Sequence, residues 1–202
     1  MDNLKIIGIT GGIGSGKSVV SRILRCNGFK VYDCDWHARF LMENSSAVKK
    51  EITAIIGKDA YKEDGKLNRK LLSDKIFTNP EIRNSVNRIV HKSVREDIKN
   101  SVKGDKGVYF IESAILFTSA IYKMCCGILL VEAPEEIKIK RVWQRNKMDA
   151  EAVKRVMESQ KKEQEMALSY DCEIITNDGV VPLLCQLENY IKNYNIKNIC
   201  YA

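Results

Sequence analysis

The sequence has few of the residues that dominate fibrous, disordered or disulfide-rich proteins. Among its 202 residues only three are proline and 7% are aromatic, whereas 45% are hydrophobic. Such a composition excludes collagen-like and low-complexity chains and predicts a buried core. The length predicts one compact domain with room for a small inserted subdomain, and it excludes a large multidomain machine.

Cysteine patterns and long apolar runs are also missing. The seven cysteines are odd in number and include no Cys-x-x-Cys pair, which argues against a disulfide framework and against a zinc site. No uninterrupted apolar run approaches the ~18 residues of a membrane span, and the first residues do not resemble a secretion signal. We therefore expect a cytoplasmic protein that does not enter a membrane.

Charge of one sign is in moderate excess. Lysine and arginine total 33 against 26 aspartate and glutamate, so the formal net charge is +7. A basic chain favours an anionic partner, which can be nucleic acid, an anionic membrane or a phosphorylated small molecule. Because the excess is small and is not concentrated in one block, a nucleic-acid partner is not expected.

Short apolar segments that alternate with helical spacing predict the fold class. Each segment is bounded by turn-forming residues and is hydrophobic on both sides, as are the strands of a parallel sheet covered by helices. The predicted strands are 5–9, 30–32, 108–111, 128–131 and 173–175. This repeat predicts an α/β fold with a five-stranded parallel sheet and helices on both faces.

Two stretches depart from this repeat and predict additional parts. The interval 36–103 is almost entirely helical in pattern, and its longest helix is expected to begin at Asn79-Pro80-Glu81, with an N-cap followed by a proline. The stretch 145–168 begins with a capping Asp149 but is then almost wholly polar. We expect it to gain little from packing and to act as a lid. The core then consists of 1–35, 104–144 and 169–202.

The segment 11–18 matches the phosphate-binding pattern G-x-x-x-x-G-K-[ST]. It follows a predicted strand and precedes a helix, which is the context that the mechanism requires. Glycines let backbone amides face phosphate oxygens, the helix N-terminus attracts anions, Lys17 reaches the terminal phosphates and the Ser18 hydroxyl can bind Mg²⁺. The residues predicted to surround the ATP phosphates are Gly11, Gly12, Ile13, Gly14, Ser15, Gly16, Lys17, Ser18 and Val19.

Two other classes of P-loop protein fit the sequence less well. The string Asn146-Lys147-Met148-Asp149 matches a guanine-recognition pattern, but it follows helical spacing, and no D-x-x-G string occurs in the chain. A nucleic-acid motor usually needs a longer chain and a second nucleotide-sensing element. The sequence therefore favours a small-molecule kinase with a P-loop kinase fold.

Two carboxylates follow the second predicted strand. Asp33 and Asp35 are expected at the carboxyl edge of the sheet, where ligands bind in open α/β folds. Because residues i and i+2 of an extended chain point the same way, we expect both to converge on one spot. There they can orient an acceptor hydroxyl, take its proton or hold a metal. The alternative is that Asp35 only caps the next helix.

The P-loop, Asp33-Cys34-Asp35 and Ala38-Arg39 together resemble the dephospho-coenzyme A kinase family, and the resemblance extends over about residues 4–190. Further matching positions are Ile89-Val90-His91, the segment 112–117, Arg141, Arg145, Gln160 and Asn177-Asp178-Gly179. The residues that depart from the usual family pattern are Cys34, Lys92, Ala114 and Thr118.

This resemblance implies transfer of the γ-phosphoryl group of ATP to the ribose 3′-hydroxyl of dephospho-coenzyme A, with Mg²⁺ as cofactor. It implies a P-loop core, a helical coenzyme-binding lobe at 36–103 and a lid at 145–168. The implied catalytic residues are Asp35, Asp33, Lys17 and Arg141, and the implied ATP contacts outside the P-loop are Arg141 and Asn177. The implied substrate-binding residues are Asp33, Asp35, Arg39, His91, Glu112, Arg145 and Gln160, and the implied metal ligand is Ser18.

Other functions remain compatible with the P-loop. Another nucleoside or nucleotide kinase would phosphorylate a nucleoside monophosphate, whereas a nucleotide-dependent switch or a nucleic-acid ATPase would need no acceptor. The expected partners are ATP and dephospho-coenzyme A, without nucleic acid or membrane. The expected assembly is a monomer or a weak homo-oligomer.

Overall fold

The computed structural model describes residues 4–193 of the protein. Residues 1–3 and 194–202, which include the end of the predicted core segment 169–202, lie outside the described part. The described residues form two compact units: the first contains those up to Asp33 and from Gly104 onward, and the second is Cys34–Lys103. Within 4–193, no helix is both long enough and apolar enough to cross a bilayer.

A parallel β-sheet is the framework of the first unit. In the described part of the chain its five strands are β1 (Leu4–Thr10), β2 (Lys30–Asp33), β3 (Gly107–Glu112), β4 (Gly127–Glu132) and β5 (Glu173–Thr176). Their order across the sheet is β2-β3-β1-β4-β5, and all neighbouring strands are parallel. The predicted α/β fold with a five-stranded parallel sheet is confirmed, and β1 lies at its centre.

Helices connect the strands and form most of the second unit, which also contains an isolated antiparallel bridge between Tyr61 and Leu67. In chain order they are α1 (Lys17–Cys26), α2 (Cys34–Asn44), α3 (Ser46–Ile56), α4 (Arg69–Thr78), α5 (Pro80–Ser101), α6 (Glu135–Asn146), α7 (Ala150–Ser159), α8 (Lys161–Leu168) and α9 (Leu183–Asn193). The second unit contains α2 to α5, and the other helices belong to the first unit.

Apolar side chains of the central strands form the core of the first unit. Ile9 of β1, Phe110 of β3 and Leu129 of β4 are completely buried. Leu24 of α1 and Leu187 of α9 pack into the same cluster. Burial of each such side chain stabilises the fold by roughly 1.5–3 kcal/mol. Because helices cover these strands, their sequences are continuously hydrophobic rather than alternating.

The long helix of the second unit begins where the sequence predicts. The side-chain oxygen of Asn79 accepts hydrogen bonds from the backbone N–H groups of Glu81 and Ile82 at 2.9 and 3.1 Å, and Pro80 is the first helical residue. This cap satisfies amides that the first turn of a helix leaves unpaired. Helix α5 then packs against α2, α3 and α4. Its buried residues are Val86, Ile89, Val94 and Ile98.

The polar stretch 145–168 packs more closely than its composition predicts. It contains the end of α6, then α7 and α8, and these last two helices meet at Gln160. Asp149 caps α7 as predicted, accepting a hydrogen bond from the Ala152 N–H at 2.7 Å. The expectation that the stretch gains little from packing is wrong for α8, because the exposed fractions of Glu163 and Ala167 are only 7% and 1%.

Candidate active site

The P-loop joins the end of β1 to the start of α1. Lys17 is the first residue of α1, and Gly16 before it has a left-handed backbone with φ 102°. Gly14 also has a positive φ of 75°, and a Cβ atom there would lie 2.7 Å from the carbonyl oxygen of Lys138. Only glycine fits both positions without strain. The loop therefore packs closely on α6 and leads directly into a helix N-terminus, where anions bind.

The side chain of Lys17 folds back onto the P-loop. Its Nζ donates hydrogen bonds to the carbonyl oxygens of Gly11 and Gly12 at 2.6 and 3.2 Å. The ammonium group therefore lies beside the loop whose amides are suited to phosphate oxygens. A triphosphate would offer this ammonium charged acceptors, which form stronger hydrogen bonds than neutral carbonyls do.

Arg141 of α6 and Asn177 after β5 meet at the P-loop. The Arg141 Nη2 donates to the backbone and side-chain oxygens of Asn177, each at 3.0 Å, and its Nη1 lies 3.4 Å from the Ser15 carbonyl oxygen. The Asn177 Nδ2 donates to the same Ser15 carbonyl at 2.8 Å. The structure thus brings together two residues that are 36 positions apart in the chain. Arg141 presents a cation next to the phosphate-binding loop.

Gln160 also contacts the P-loop. Its Oε1 accepts a hydrogen bond from the backbone N–H of Ile13 at 2.8 Å. Gln160 occupies the junction between α7 and α8, so this bond ties the junction to the loop. The sequence resemblance places Gln160 among the substrate-binding residues, whereas in this structure its bonding partner belongs to the P-loop.

Two carboxylates lie side by side at the carboxyl edge of the sheet. Asp33, the last residue of β2, is in register with Glu112, the last residue of β3. Burial raises the pKa of Glu112 above its usual range, and the charge of Asp33 raises it further. The nearby Ser21 hydroxyl and the charges of Lys17 and Arg25 lower the pKa. Glu112 therefore interacts with the P-loop lysine as well as with Asp33.

Asp35 is not part of an extended segment, so the expectation that it projects from the strand with Asp33 is wrong. β2 ends at Asp33 and α2 begins at the next residue, so Asp35 lies in the first turn of a helix. Its side chain is exposed. An acid in this position also interacts favourably with the helix dipole. The two aspartates belong to different units, and the i, i+2 argument does not apply to them.

The other predicted substrate residues occupy different elements. Arg39 is exposed on α2, and His91 is half-buried on α5, where burial lowers its pKa and the charge of Arg95 lowers it further. Arg145 lies on α6 one turn after Arg141. In the part of the chain that the structure describes, Arg145 is hydrogen-bonded to the neighbouring Asn146 at 2.8 Å rather than to the P-loop.

Sequence reasoning missed a buried polar group behind the P-loop. Lys138 is only 5% exposed, and its Nζ donates to the Glu132 Oε2 at 2.9 Å. The Gln164 Nε2 donates to the other oxygen of Glu132 at 3.3 Å. Beside this group is a cavity of about 20 Å³ that the P-loop helps to line, enough for about one water molecule. One signal was present in the sequence, because Glu132 ends β4 just as Glu112 ends β3.

The donor atoms at this edge fit Mg²⁺. The Ser18 hydroxyl at the start of α1 and the carboxylates of Asp33 and Glu112 are hard oxygen donors, which Mg²⁺ prefers. Within 4–193, no group of three or more His, Cys, Asp or Glu side chains could hold a metal ion. Mg²⁺ commonly needs only one or two protein oxygens when phosphates supply the others, so these residues suit a nucleotide-bound ion.

A family model, two curated relatives and one solved structure that match this chain carry the same family name. A family model described as dephospho-CoA kinase (CoaE) matches residues 5–182. The chain is 43% identical over 164 residues to a dephospho-CoA kinase from Porphyromonas gingivalis, with 80% of each chain covered. It is 35% identical over 190 residues to one from Fusobacterium nucleatum, covering 93% of this chain and 97% of the relative. Its fold matches the solved dephospho-CoA kinase from Campylobacter jejuni with a TM-score of 0.69 at 25% identity, covering 97% of this chain and 100% of that one.

Proposed function

Because the chain belongs to the dephospho-CoA kinase family, we propose a role in phosphoryl transfer for each predicted site residue. It is an ATP-dependent phosphotransferase that acts in the final step of coenzyme A biosynthesis. The observation that best supports the proposed residue roles is the convergence of Lys17, Arg141 and Asn177 on one glycine-rich loop.

The P-loop binds the phosphates of ATP and holds them in place for transfer. Its backbone amides and the N-terminus of α1 face the phosphate oxygens, and Lys17 leaves its loop carbonyls to follow the γ-phosphoryl group. Arg141 adds a second cation as negative charge develops in the transition state. Asn177 keeps the Arg141 guanidinium at the loop through the two hydrogen bonds that it accepts.

The acceptor is the ribose 3′-hydroxyl of dephospho-CoA. Asp35 orients this hydroxyl and takes its proton as the new bond from oxygen to the γ-phosphorus forms and the bond to the β-γ bridging oxygen breaks, releasing ADP. Asp33 supports Asp35 or the metal. Glu112 contributes to substrate binding at the carboxyl edge of the sheet beside Asp33, where its interaction with Lys17 couples it to the phosphate site.

Mg²⁺ would be held by Ser18 and the nucleotide phosphates, with Asp33 as a further oxygen donor. When bound, the ion neutralises phosphate charge and helps to orient the transferring group. The two carboxylates at the edge of the sheet supply negative charge that attracts such a cation. Burial raises the pKa of Glu112, and a cation nearby would favour its ionised form.

The coenzyme is bound by the helical unit. Arg39 on α2 supplies a cation for the phosphates of dephospho-CoA, and His91 on α5 shapes the substrate-binding surface. We assign Arg145 and Gln160 to the segment 145–168, which closes over the nucleotide as a lid and contacts the substrate. We further propose that the enzyme works in the cytoplasm as a monomer or a weak homo-oligomer, without a nucleic-acid partner.

One acceptor panel tests the proposed substrate against its rivals. The enzyme is incubated with Mg²⁺-ATP and either dephospho-CoA, AMP, cytidine monophosphate or single-stranded DNA, while ADP release is followed. We expect turnover above the acceptor-free rate with dephospho-CoA only. Equal turnover with a nucleoside monophosphate would indicate a different small-molecule kinase, and stimulation by DNA would indicate a nucleic-acid ATPase.

A further inference from the structure

Glu163 of α8 binds the turn that follows β3. Its Oε1 accepts a hydrogen bond from the Phe117 N–H at 2.7 Å, and its Oε2 accepts one from the Thr118 N–H at 2.9 Å. Both carboxylate oxygens are thus used by consecutive backbone amides, 46 and 45 positions away in the chain. The side chain is only 7% exposed, so water competes weakly for these bonds.

Burying a carboxylate is an energetically unfavourable way to join a helix to a turn. Removing the charge from water is unfavourable, and well-packed apolar residues often stabilise a fold equally well. What the carboxylate adds is direction, because charge-assisted hydrogen bonds to two amides fix the turn in one orientation. Glu163 therefore specifies geometry as well as stability.

An aromatic cluster fixes the same turn from the other end of α8. Phe117 stacks on Tyr122 with 5.1 Å between ring centroids, and Tyr170, just after α8, meets the two rings at 5.5 and 5.7 Å. Such ring pairs add stability beyond that of the area that they bury. Helix α8 is therefore anchored to the segment 117–122 at two separate places.

The turn held by Glu163 leads directly from Glu112. Glu112 lies in register with Ile9 of β1, and the next residue, Ser113, donates its N–H to the Ile9 carbonyl at 3.0 Å. After Ser113 the chain leaves the sheet and enters turns. Sheet pairing thus fixes the start of the segment 113–118, and Glu163 fixes its end.

We propose that Glu163 is a positioning residue for phosphoryl transfer: it holds the segment 113–118, so that Ala114 stays beside Gly11 and Gly12 of the P-loop in the cavity that all four residues line. This role rests on the proposed function, because it matters only if the P-loop holds the ATP phosphates for transfer. In the proposed reaction Glu163 touches no reacting atom. Its effect is passed on through the segment 113–118.

The test is Glu163→Gln in the full-length enzyme, with Glu165→Gln as the matched control. Glu165 is an exposed glutamate on the same helix. The glutamine keeps the shape of the side chain but can accept only through one oxygen, so one amide loses its partner. We expect kcat to fall about 10- to 100-fold, because small displacements of active-site groups cost rates of this size. The KM for ATP and the nucleotide affinity should stay near wild type.

Amide hydrogen exchange provides the readout that separates positioning from overall stability. In Glu163→Gln, the amides of Phe117 and Thr118 should exchange faster than in the wild type, whereas the amides of the core strands should exchange at the wild-type rate. The kcat is measured far below the unfolding temperature of the variant. If Glu163→Gln does not fold, the same measurements are made on Glu163→Asp, which keeps the charge but has a shorter side chain. Loss of folding in both would show that the role is structural only and would overturn the proposal.

The two proposals fail in different ways. Wild-type kcat in a folded Glu163→Gln, or faster exchange at both amides without loss of kcat, would overturn the positioning role and leave the kinase assignment intact. A wild-type enzyme that does not phosphorylate dephospho-CoA would overturn the proposed function and this role with it. Equal losses in Glu165→Gln would show that the effect is not specific to the buried carboxylate, which also overturns the proposal.

Discussion

Replacing Lys17 with alanine is expected to abolish turnover. The ammonium group lies at the P-loop, bonded to Gly11 and Gly12, and it is the cation best placed to follow the γ-phosphoryl group. Removal of one preorganised donor to a charged transition state lowers kcat by about 100- to 1000-fold. We expect at least this loss, measured as ADP release at saturating ATP and dephospho-CoA.

Lys140→Ala is the control for this prediction. Lys140 is an exposed lysine on α6, so its replacement changes net charge equally but leaves the loop untouched. It should retain wild-type kcat. Wild-type rates in a folded Lys17→Ala variant would mean that the P-loop does not take part in catalysis, and the proposed mechanism would then be wrong.

Asp35→Asn is expected to have the second largest effect. An amide can neither take the proton of the acceptor hydroxyl nor carry the negative charge that orients it. General-base catalysis contributes about 100- to 10,000-fold, and we expect kcat to fall within this range while ATP binds almost as tightly as before. Steady-state kinetics with dephospho-CoA and a separate ATP titration measure the two quantities.

Two further variants help to interpret the kinetic effect of Asp35→Asn. Asp74→Asn removes an exposed aspartate of α4 in the same unit and should behave as wild type. Asp33→Asn tests the carboxylate at the end of β2. A collapse of ATP affinity in Asp35→Asn with kcat preserved would assign this residue to metal retention and contradict its role as the base.

The parts that sequence could predict are those determined by local physics. The P-loop needs glycine where the backbone has positive φ, and Gly14 and Gly16 meet this need within one short segment. The strands could be predicted because burial between helices requires continuous apolar runs. The start of α5 was predictable because Asn79 and Pro80 determine a helix N-terminus through their own chemistry.

The position of Asp35 shows where local reasoning fails. The change from strand to helix occurs between Asp33 and Cys34, and shifting that boundary by two residues reverses the conclusion about side-chain direction. Sequence patterns locate such boundaries only to within a few residues. The residue types at 33 and 35 suggested acid chemistry, but their shared direction depended on geometry that the sequence does not specify.

Contacts between distant segments also could not be predicted from the sequence. Gln160 bonds to Ile13 across 147 positions, and Glu163 bonds to Phe117 across 46. In the sequence both belong to a polar run that resembles a solvated helix. The burial of Glu163 follows from how α8 packs on the segment after β3. The sequence of a polar helix does not show which distant backbone amides its side chains will bind.

The central claim is that the γ-phosphoryl group bound at the P-loop is transferred to the ribose 3′-hydroxyl of dephospho-CoA. Phosphorus NMR of the product formed with Mg²⁺-ATP locates the new ester bond directly. The account predicts one new phosphomonoester signal that couples to the ribose 3′ proton, with ADP formed in equal amount. A phosphate attached elsewhere on the molecule, or inorganic phosphate released beside unchanged dephospho-CoA, would contradict it.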